Sequence, residues 1–364
     1  MMTVPAINLG IELRVLAEAE NSSADLATSV VGDYTDPKTV LDFANGVDVI
    51  TFDHEHVPLR ILEALEAQGI SVQPNSKALA HAQNKLVMRQ ALEVIGAPNP
   101  RWMAVSKPSE LDSFIAEHGP EVIVKKPIGG YDGKGVRVVR ASAEVSDWFE
   151  PSALVTLGGS LLAEEKVEFV REMAQLSARS PSGEFRAWPI VETRQKNGVC
   201  SEVLAPAPNA SNKLVAKAIE IAELISTSLS VTGNLAVEMF ETADGKLLVN
   251  ELAMRPHNSG HFSIEGSTTS QFEQHLRAVL DLPLGDTFVP EVAVMVNLLG
   301  LSDEKDFVQN YPKLMRSFPS AKLHSYGKSP RIGRKLGHIT VIGQTHETAL
   351  ATALEARSAI LGVQ

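Results

Sequence analysis

The chain has 364 residues, of which 44% are hydrophobic and 21% charged, and its net charge is −11 at pH 7. This length predicts roughly two to three domains, and the composition is that of a globular protein with a core. The acidic balance disfavours binding to nucleic acid or to an anionic membrane, because both need basic residues that neutralise phosphates. Small-molecule chemistry is the better expectation.

The cysteine content and the apolar runs predict the compartment. A single cysteine, Cys200, excludes an internal disulfide. Neither a secretory signal nor an apolar stretch long enough to cross a bilayer is visible, so the expected location is the cytoplasm. No Cys/His cluster adjoins Cys200, which favours a structural thiol over a nucleophile or a metal ligand.

The first part of the chain alternates predicted strands with predicted helices. The strands are expected at 12–17, 47–52 and 70–74, and the helices at 39–45, 59–68 and 76 to about 95. Such alternation predicts a parallel α/β sheet. A proline-rich break at 96–100 then predicts a domain boundary.

The remainder of the chain is predicted to be richer in antiparallel strands. Strands are expected at 122–125, 160–167, several within 172–204, 234–240, 246–251 and 339–342, with hairpin turns at 180–183 and 196–198 and a helix at 211–229. The predicted domains are 1–96, 97–167, 168–300 and 301–364.

Two glutamates lie on the strands of one predicted hairpin. Glu238 is on the first strand and Glu251 on the second. Facing carboxylates destabilise each other unless a cation lies between them, and Mg²⁺ prefers carboxylate oxygens together with substrate phosphates. The pair therefore predicts a magnesium site in a protein that uses ATP.

A glycine loop lies upstream of this pair, Gly129-Gly130-Tyr131-Asp132-Gly133-Lys134-Gly135. Glycines let main-chain N–H groups approach phosphate oxygens, and Lys134 adds positive charge. Alone, such a loop is more often only a turn, and it matches neither the Walker nor the dinucleotide pattern. The order of Lys125, the loop, Glu164 with Glu165, and the carboxylate pair suits recognition of phosphates, then adenine and ribose, then Mg²⁺.

Three motifs resemble those of the ATP-grasp superfamily and, within it, the N5-carboxyaminoimidazole ribonucleotide synthetase family. They are the glycine loop, Asn250-Glu251-Leu252-Ala253-Met254-Arg255-Pro256-His257-Asn258-Ser259-Gly260-His261, and Tyr326-Gly327-Lys328 with Gly333-Arg334-Lys335-Leu336-Gly337-His338. The second motif is the most specific, and the resemblance extends from about residue 9 to the C-terminus. It implies α/β and α+β architecture: an ATP-grasp fold with an N-terminal parallel α/β domain and a small C-terminal domain.

The resemblance implies an activity in purine biosynthesis. The family carboxylates 5-aminoimidazole ribonucleotide to N5-carboxyaminoimidazole ribonucleotide with ATP and bicarbonate, through carboxyphosphate, and releases ADP and phosphate. The implied cofactors are ATP and Mg²⁺. The implied partners are ATP, bicarbonate, the ribonucleotide and a second copy of the chain, with neither nucleic acid nor membrane among them.

The resemblance also implies a role for individual residues. The metal ligands would be Glu238 and Glu251. The nucleotide would be bound by Lys85, Lys125, Gly130, Tyr131, Gly133, Gly135, Glu164, Glu165, Val167, Glu172, Gln195, Asn250 and Glu251, with the lysines at the phosphates, Glu164 and Val167 at the adenine edge and Glu172 at the ribose. The ribonucleotide would be bound by Tyr131, Asp132, Lys134, Asn258, Arg331 and Arg334, and the catalytic residues would be Arg255, His257 and Lys328.

Several of these residues have a plainer alternative. Lys328, Arg331, Arg334 and Lys335 would ordinarily form a solvated surface, although in an acidic chain a basic cluster is a reasonable anion site. His257 and His261 could be hydrogen-bonded core histidines, and only the surrounding motif favours a site. The segment 51–57, which includes His54 and His56, is interpreted as lining the substrate cleft rather than as a zinc site.

Two departures from the family pattern keep other functions open. The chain starts within the family's first helix, so its first strand and glycine loop are expected to be missing and the N-terminal domain truncated. Gln195 stands where the family often has histidine, although glutamine still offers a donor and an acceptor. The alternatives are another ATP-grasp ligase, of the formate-dependent glycinamide ribonucleotide transformylase type, and an inactive truncated nucleotide-binding protein.

Overall fold

The computed structural model describes residues 1–130, 135–302 and 307–362. Within these ranges the strands form a two-stranded parallel sheet, a four-stranded antiparallel sheet and a nine-stranded antiparallel sheet. None of the helices in the described ranges has the length and apolar content that crossing a membrane requires.

The N-terminal unit consists of short strands and five helices. Its elements are α1 (Thr3–Leu9), β1 (Val15–Ala17), β2 (Thr28–Val31), α2 (Pro37–Phe43), α3 (Leu59–Ala67), α4 (Ser76–Gln83) and α5 (Lys85–Val94). β1, which lies within the predicted strand 12–17, pairs in parallel with β2, a strand that was not predicted. The segments 47–52 and 70–74 do not form full strands, and they meet in one parallel bridge between Ile50 and Val72.

The prediction of a single helix from 76 to about 95 is wrong, because Asn84 divides this segment into two helices. Asn84 has an extended backbone (φ −133°, ψ 112°), and its side chain accepts hydrogen bonds from the main-chain N–H groups of Leu86 and Val87. Asn84 therefore caps a new helix, α5, whose first residue is Lys85.

The small sheet follows the proline-rich break. Its elements are β3 (Trp102–Val105), α6 (Pro108–His118), β4 (Val122–Lys125), β5 (Val136–Val139), α7 (Ser146–Phe149), α8 (Pro151–Thr156) and β6 (Leu161–Glu165), with the strand order β3-β6-β4-β5. The glycine loop joins β4 to β5. Gly129 and Gly135 both have positive φ angles, 78° and 76°, that disfavour other residues.

The large sheet contains most of the remaining chain. Its strands and flanking helices are β7 (Phe169–Arg179), β8 (Phe185–Ala187), β9 (Val191–Lys196), β10 (Val199–Ala205), α9 (Asn212–Ser228), β11 (Gly233–Thr242), β12 (Leu247–Ala253), α10 (Ser263–Gly266), α11 (Gln271–Val279), β13 (Val292–Leu299), α12 (Tyr311–Ser317), β14 (Lys322–Ser325), β15 (Lys335–Gly343) and α13 (His346–Leu361). The order is β12-β11-β7-β9-β10-β13-β15-β14, with β8 beside β7. The C-terminal strands thus continue the sheet that carries both glutamates.

One hydrophobic core joins the N-terminal unit to the large sheet. Leu62, Leu65 and Leu79 of the N-terminal helices share it with Ile221 of α9 and Val237 of β11, and all five are at most 1% exposed. Full burial of one large apolar side chain stabilises the folded state by about 2 kcal/mol. Met88 and Leu92 of α5 belong to the same core, so α5 packs together with the elements that carry the β11–β12 hairpin.

Candidate active site

The two glutamates face each other across the β11–β12 hairpin, as predicted. Glu238 and Glu251 are Cα partners in the antiparallel register, and a bulge follows Glu238. Burial and, next, the neighbouring carboxylate of Glu251 raise the pKa of Glu238 to about 7. The pair is therefore an anionic site whose charge a cation would stabilise.

Two lysines converge on the same hairpin from other elements. Lys85, at the start of α5, donates to the carboxylate of Glu251. Lys125, at the end of β4, donates to Asn250 Oδ1 at 3.0 Å and to Glu164 Oε2 at 2.7 Å. The structure thus brings together residues predicted separately at the phosphates and at the metal.

Glu164 is buried in this network, with its side chain 3% exposed. Burial alone would raise the pKa of Glu164, but Lys125 and Arg89 lower it to about 2. The resemblance placed Glu164 at the adenine edge, whereas its carboxylate lies between two cations. Arg89 itself was missed, because a single arginine on a helix gives no sequence signal that distinguishes a buried position from a solvated one.

Two of the predicted nucleotide-binding residues, Glu172 and Gln195, lie on neighbouring strands. Gln195 of β9 donates through Nε2 to Glu172 Oε2 of β7 at 3.2 Å, and burial raises the pKa of Glu172. Glu165, at the end of β6, accepts a hydrogen bond from the main-chain N–H of Arg101 at 2.9 Å. Val167 lies half-buried just beyond that strand.

Arg255 and His257 follow β12 and lie beside the carboxylates. Arg255 Nε donates to Glu55 Oε2 at 2.7 Å, so the segment predicted to line the cleft does contact the motif. His257 Nε2 lies 3.4 Å from Glu238 Oε1. Burial and, second, the charge of Arg255 lower the pKa of His257 well below its usual value. His257 is therefore neutral near pH 7.

Side chains of β13 and α11 hold the other residues of this motif by hydrogen bonds. Asn258 exchanges two bonds with Asn297 of β13, at 2.9 and 2.7 Å. Gln271 accepts from the main-chain N–H of His257 at 2.9 Å and is bonded to His261 Nδ1 at 2.8 Å. His261 is 7% exposed and stacks on His338, with ring centroids 4.9 Å apart, which fits the alternative of a core histidine.

Lys328, Arg331 and Arg334 lie in the loop between β14 and β15, and Lys335 is the first residue of β15. Lys328 and Arg331 are exposed, and Arg334 Nη1 donates to Ser329 O at 3.1 Å within the loop. Gly300 packs so tightly there that a Cβ would lie 2.2 Å from Arg331 O. Lys335 acts on the site electrostatically: after burial and Arg255, its charge contributes to the lowered pKa of His257. Lys335 was named in the basic cluster but not predicted at the site.

Four of the predicted site residues belong to one stretch of the glycine loop. Tyr131, Asp132, Gly133 and Lys134 lie outside the described residues, while Gly130 and Gly135 flank them. Across the described ranges, no group of three or more His, Cys, Asp or Glu side chains is arranged to hold a metal ion. A pair of carboxylates still suits Mg²⁺, which keeps several waters and binds substrate phosphates.

Comparison with known proteins defines the class. A model of the ATP-grasp domain matches residues 90–272, a model of the ribonucleotide synthetase preATP-grasp domain matches 1–83, and a model of the phosphoribosylaminoimidazole carboxylase C-terminal domain matches 293–352. The fold and the lysine–carboxylate site therefore define an ATP-grasp enzyme.

The particular family follows from similar sequences and structures. The N5-carboxyaminoimidazole ribonucleotide synthase of Mycobacterium bovis is 48% identical over 343 residues, 93% of this chain and 80% of the relative. The crystal structure of the Thermus thermophilus synthetase is 35% identical and covers 100% of this chain and 96% of its own, with a TM-score of 0.87. An Aspergillus clavatus synthase in complex with ADP and 5-aminoimidazole ribonucleotide is 29% identical, covers 99% and 95%, and also has a TM-score of 0.87.

The chain belongs to the N5-carboxyaminoimidazole ribonucleotide synthase family. As a member, it is an ATP-dependent ligase that carboxylates 5-aminoimidazole ribonucleotide in purine biosynthesis. The fold class implied by the motifs is confirmed.

Proposed function

We propose that the chain transfers the γ-phosphoryl group of ATP to bicarbonate, and that the resulting carboxyphosphate carboxylates the amine of 5-aminoimidazole ribonucleotide. The single observation that carries this for the chain itself is the convergence of Lys85 and Lys125 on the Glu238–Glu251 hairpin. Phosphoryl transfer depends mainly on positioning and charge stabilisation, which such a convergence supplies.

Lys85 and Lys125 bind the phosphates of ATP in this proposal. Both ammonium groups are already oriented by acceptors, Glu251 for Lys85 and Asn250 with Glu164 for Lys125. When ATP binds, its phosphate oxygens join or replace these acceptors, and the lysines offset the charge that develops during transfer.

Glu238 and Glu251 bind Mg²⁺, which when bound neutralises charge on the phosphates. The residues fit this ion, because two carboxylates face each other and the raised pKa of Glu238 reflects burial and their mutual repulsion. The rest of the nucleotide extends towards Glu165, Val167, Glu172 and Gln195, with the glycine loop over the phosphates.

Arg255 and His257 bind bicarbonate and then carboxyphosphate, whereas Asn258 belongs to the site of the ribonucleotide. Arg255 supplies a fixed positive charge held by Glu55, and neutral His257 offers a hydrogen bond without adding charge. Tyr131, Asp132 and Lys134 contact the aminoimidazole ring, and Lys328, Arg331 and Arg334 bind the phosphate of the ribonucleotide, since these cations belong to an otherwise acidic chain.

We also propose that the chain is a cytoplasmic homodimer with the domain limits 1–96, 97–167, 168–300 and 301–364. Sedimentation of the purified chain tests the dimer. A mass of one chain over the working concentration range would contradict it.

The function is tested by ADP release from Mg-ATP and bicarbonate, with and without 5-aminoimidazole ribonucleotide. We expect strong stimulation by the ribonucleotide and dependence on bicarbonate. Stimulation by glycinamide ribonucleotide plus formate instead would identify the other ligase type. Nucleotide binding without any stimulated release would identify an inactive protein.

A further inference from the structure

Arg89 lies one turn of α5 beyond Lys85 and is 0% exposed. Its guanidinium donates to Glu164 through Nε, to Asn99 Oδ1 (3.1 Å) and Val249 O (2.7 Å) through Nη1, and to Asn250 O (2.8 Å) through Nη2. A buried charge is costly unless it is paired and hydrogen-bonded, so this set of acceptors restricts the guanidinium to one position.

The acceptors of Arg89 belong to both sheets that flank the proposed nucleotide site. Glu164 is on β6 of the small sheet, whereas Val249 and Asn250 are on β12 of the large sheet. Arg89 therefore bridges the small sheet and the large sheet, which Lys125 of β4 also connects through Asn250.

Two of these acceptors, Glu164 and Asn250, are directly linked to groups at the site. The carboxylate of Glu164 binds Arg89 with one oxygen and Lys125 with the other. Asn250 accepts from Arg89 with its main-chain oxygen and from Lys125 with its side chain, and it precedes Glu251. A displacement of the guanidinium would thus move Lys125 and the main chain beside Glu251.

We propose that Arg89 is a positioning residue that sets the distance between Lys125 and the Asn250–Glu251 step, and thereby the affinity for Mg-ATP. It acts through Glu164 and the β12 main chain. This inference rests on the proposed function in one respect, that Lys125 and Glu251 bind the nucleotide and its metal.

The planar fork of arginine explains why this residue type is used. Two different nitrogens of one rigid group reach Val249 O and Asn250 O while Nε reaches Glu164. A lysine keeps the charge and can still pair with Glu164, but a single ammonium cannot span all three acceptors with the same geometry. Lysine at this position should therefore preserve only part of the effect.

The test compares full-length wild type with R89M, R89K and the control R357M. Arg357 of α13 also forms a partly buried ion pair, with Glu202 at 3.0 Å and Ser201 Oγ at 2.9 Å on β10, away from the carboxylate hairpin. The readouts are the Kd for a non-hydrolysable Mg-ATP analogue by calorimetry, the KM values for ATP and for the ribonucleotide, and the melting temperature.

We expect R89M to weaken analogue binding by about tenfold or more, as supporting partners of site residues do, with the KM for the ribonucleotide little changed. R89K should fall between R89M and wild type, and R357M should bind the analogue as wild type does even if it melts earlier. Equal analogue affinity in R89M and R357M would overturn the proposal, as would equal losses for ATP and ribonucleotide.

The test also covers an R89M variant that does not fold and a failure of the proposed function. If R89M does not fold, R89K against wild type decides: a loss confined to the nucleotide supports the proposal, and unchanged affinity overturns it. Analogue binding needs neither bicarbonate nor ribonucleotide. Failure of the proposed function would therefore appear separately, as wild-type protein that binds the analogue without ribonucleotide-stimulated ADP release.

Discussion

Individual charged side chains determine the chemistry of this site. Glu251 faces Glu238 and accepts from Lys85, so its carboxylate belongs both to the anionic pair and to the lysine network. An amide in its place has nearly the same shape but no charge. Exchange of carboxylate for amide therefore separates the electrostatic role of such a residue from its packing.

Glu251→Gln should abolish ATP turnover, because it removes half of the charge proposed to bind Mg²⁺ and the anion that orients Lys85. The measurement is ribonucleotide-stimulated ADP release, with the melting temperature as a check on folding. Glu223→Gln, at an exposed position on α9, is the matched control and should retain activity. Near-normal turnover by the Glu251 variant would disprove the metal assignment.

Lys328→Ala should raise the KM for the ribonucleotide more than the KM for ATP, since only the ribonucleotide phosphate is assigned to its loop. A lost charged contact of this kind costs roughly 1.5–3 kcal/mol, so the ribonucleotide KM should rise at least about tenfold. Steady-state kinetics with each substrate varied gives both constants. Lys313→Ala, at an exposed position on α12, is the control, and an effect confined to ATP would contradict the placement.

At the scale of elements, the start of α5 controls where Lys85 lies. Asn84 interrupts the helical run and caps α5, so Lys85 occupies the first turn of a helix and points at β12 rather than continuing α4. The cap thus stabilises the start of α5, and in the proposed function it also orients Lys85 towards the nucleotide site.

Asn84→Ala should lower the free energy of unfolding by about 1 kcal/mol through loss of the cap, and should also raise the KM for ATP. Ser211→Ala is the matched control, because Ser211 caps α9 by accepting from the main-chain N–H of Leu214. Chemical denaturation and ATP kinetics on both variants check this. The two should lose similar stability, and a similar rise in the KM of ATP for both would argue against a local role of Asn84.

At the scale of the whole molecule, His275 joins the N-terminal unit to the large sheet. Its Nδ1 accepts from the main-chain N–H of Asn234 on β11 at 3.1 Å, and its Nε2 lies 2.7 Å from Thr51 Oγ1. Burial lowers the pKa of His275 to about 4. Protonation of His275 would therefore weaken the contact between the N-terminal unit and the large sheet.

This arrangement predicts a pH dependence of stability. The folded pKa of His275 lies below its usual value of 6.5, so the unfolded chain binds more protons between about pH 6.5 and 4. The contribution of His275 to the free energy of unfolding is complete above pH 6.5. It falls by about 3 kcal/mol as the pH drops towards 4. Melting temperatures of wild type and His275→Gln from pH 7.5 to 4.5 should show a flatter profile for the variant, whereas parallel profiles would contradict this.

Local patterns in the sequence determined much of the fold and the centre of the site. The strand 122–125, the helix near 211–229 and the facing of Glu238 and Glu251 follow from alternation, periodicity and a turn, and the structure has all three. The motif from Asn250 to His261 indicated the family, because its residue order is specific to that chemistry. Periodicity did not reveal the break at Asn84, since a polar cap resembles any exposed helical residue.

What only the tertiary structure decided is which distant residues support that centre. Arg89 meets Glu164 across 75 residues, and Arg255 meets Glu55 across 200. Neither pairing could be read from the sequence, because the residues around an arginine do not indicate which distant carboxylate it contacts. Sequence patterns report the periodicity of single elements, whereas the pairing of buried charges depends on how the sheets and helices pack, and only the folded chain brings those charges into contact.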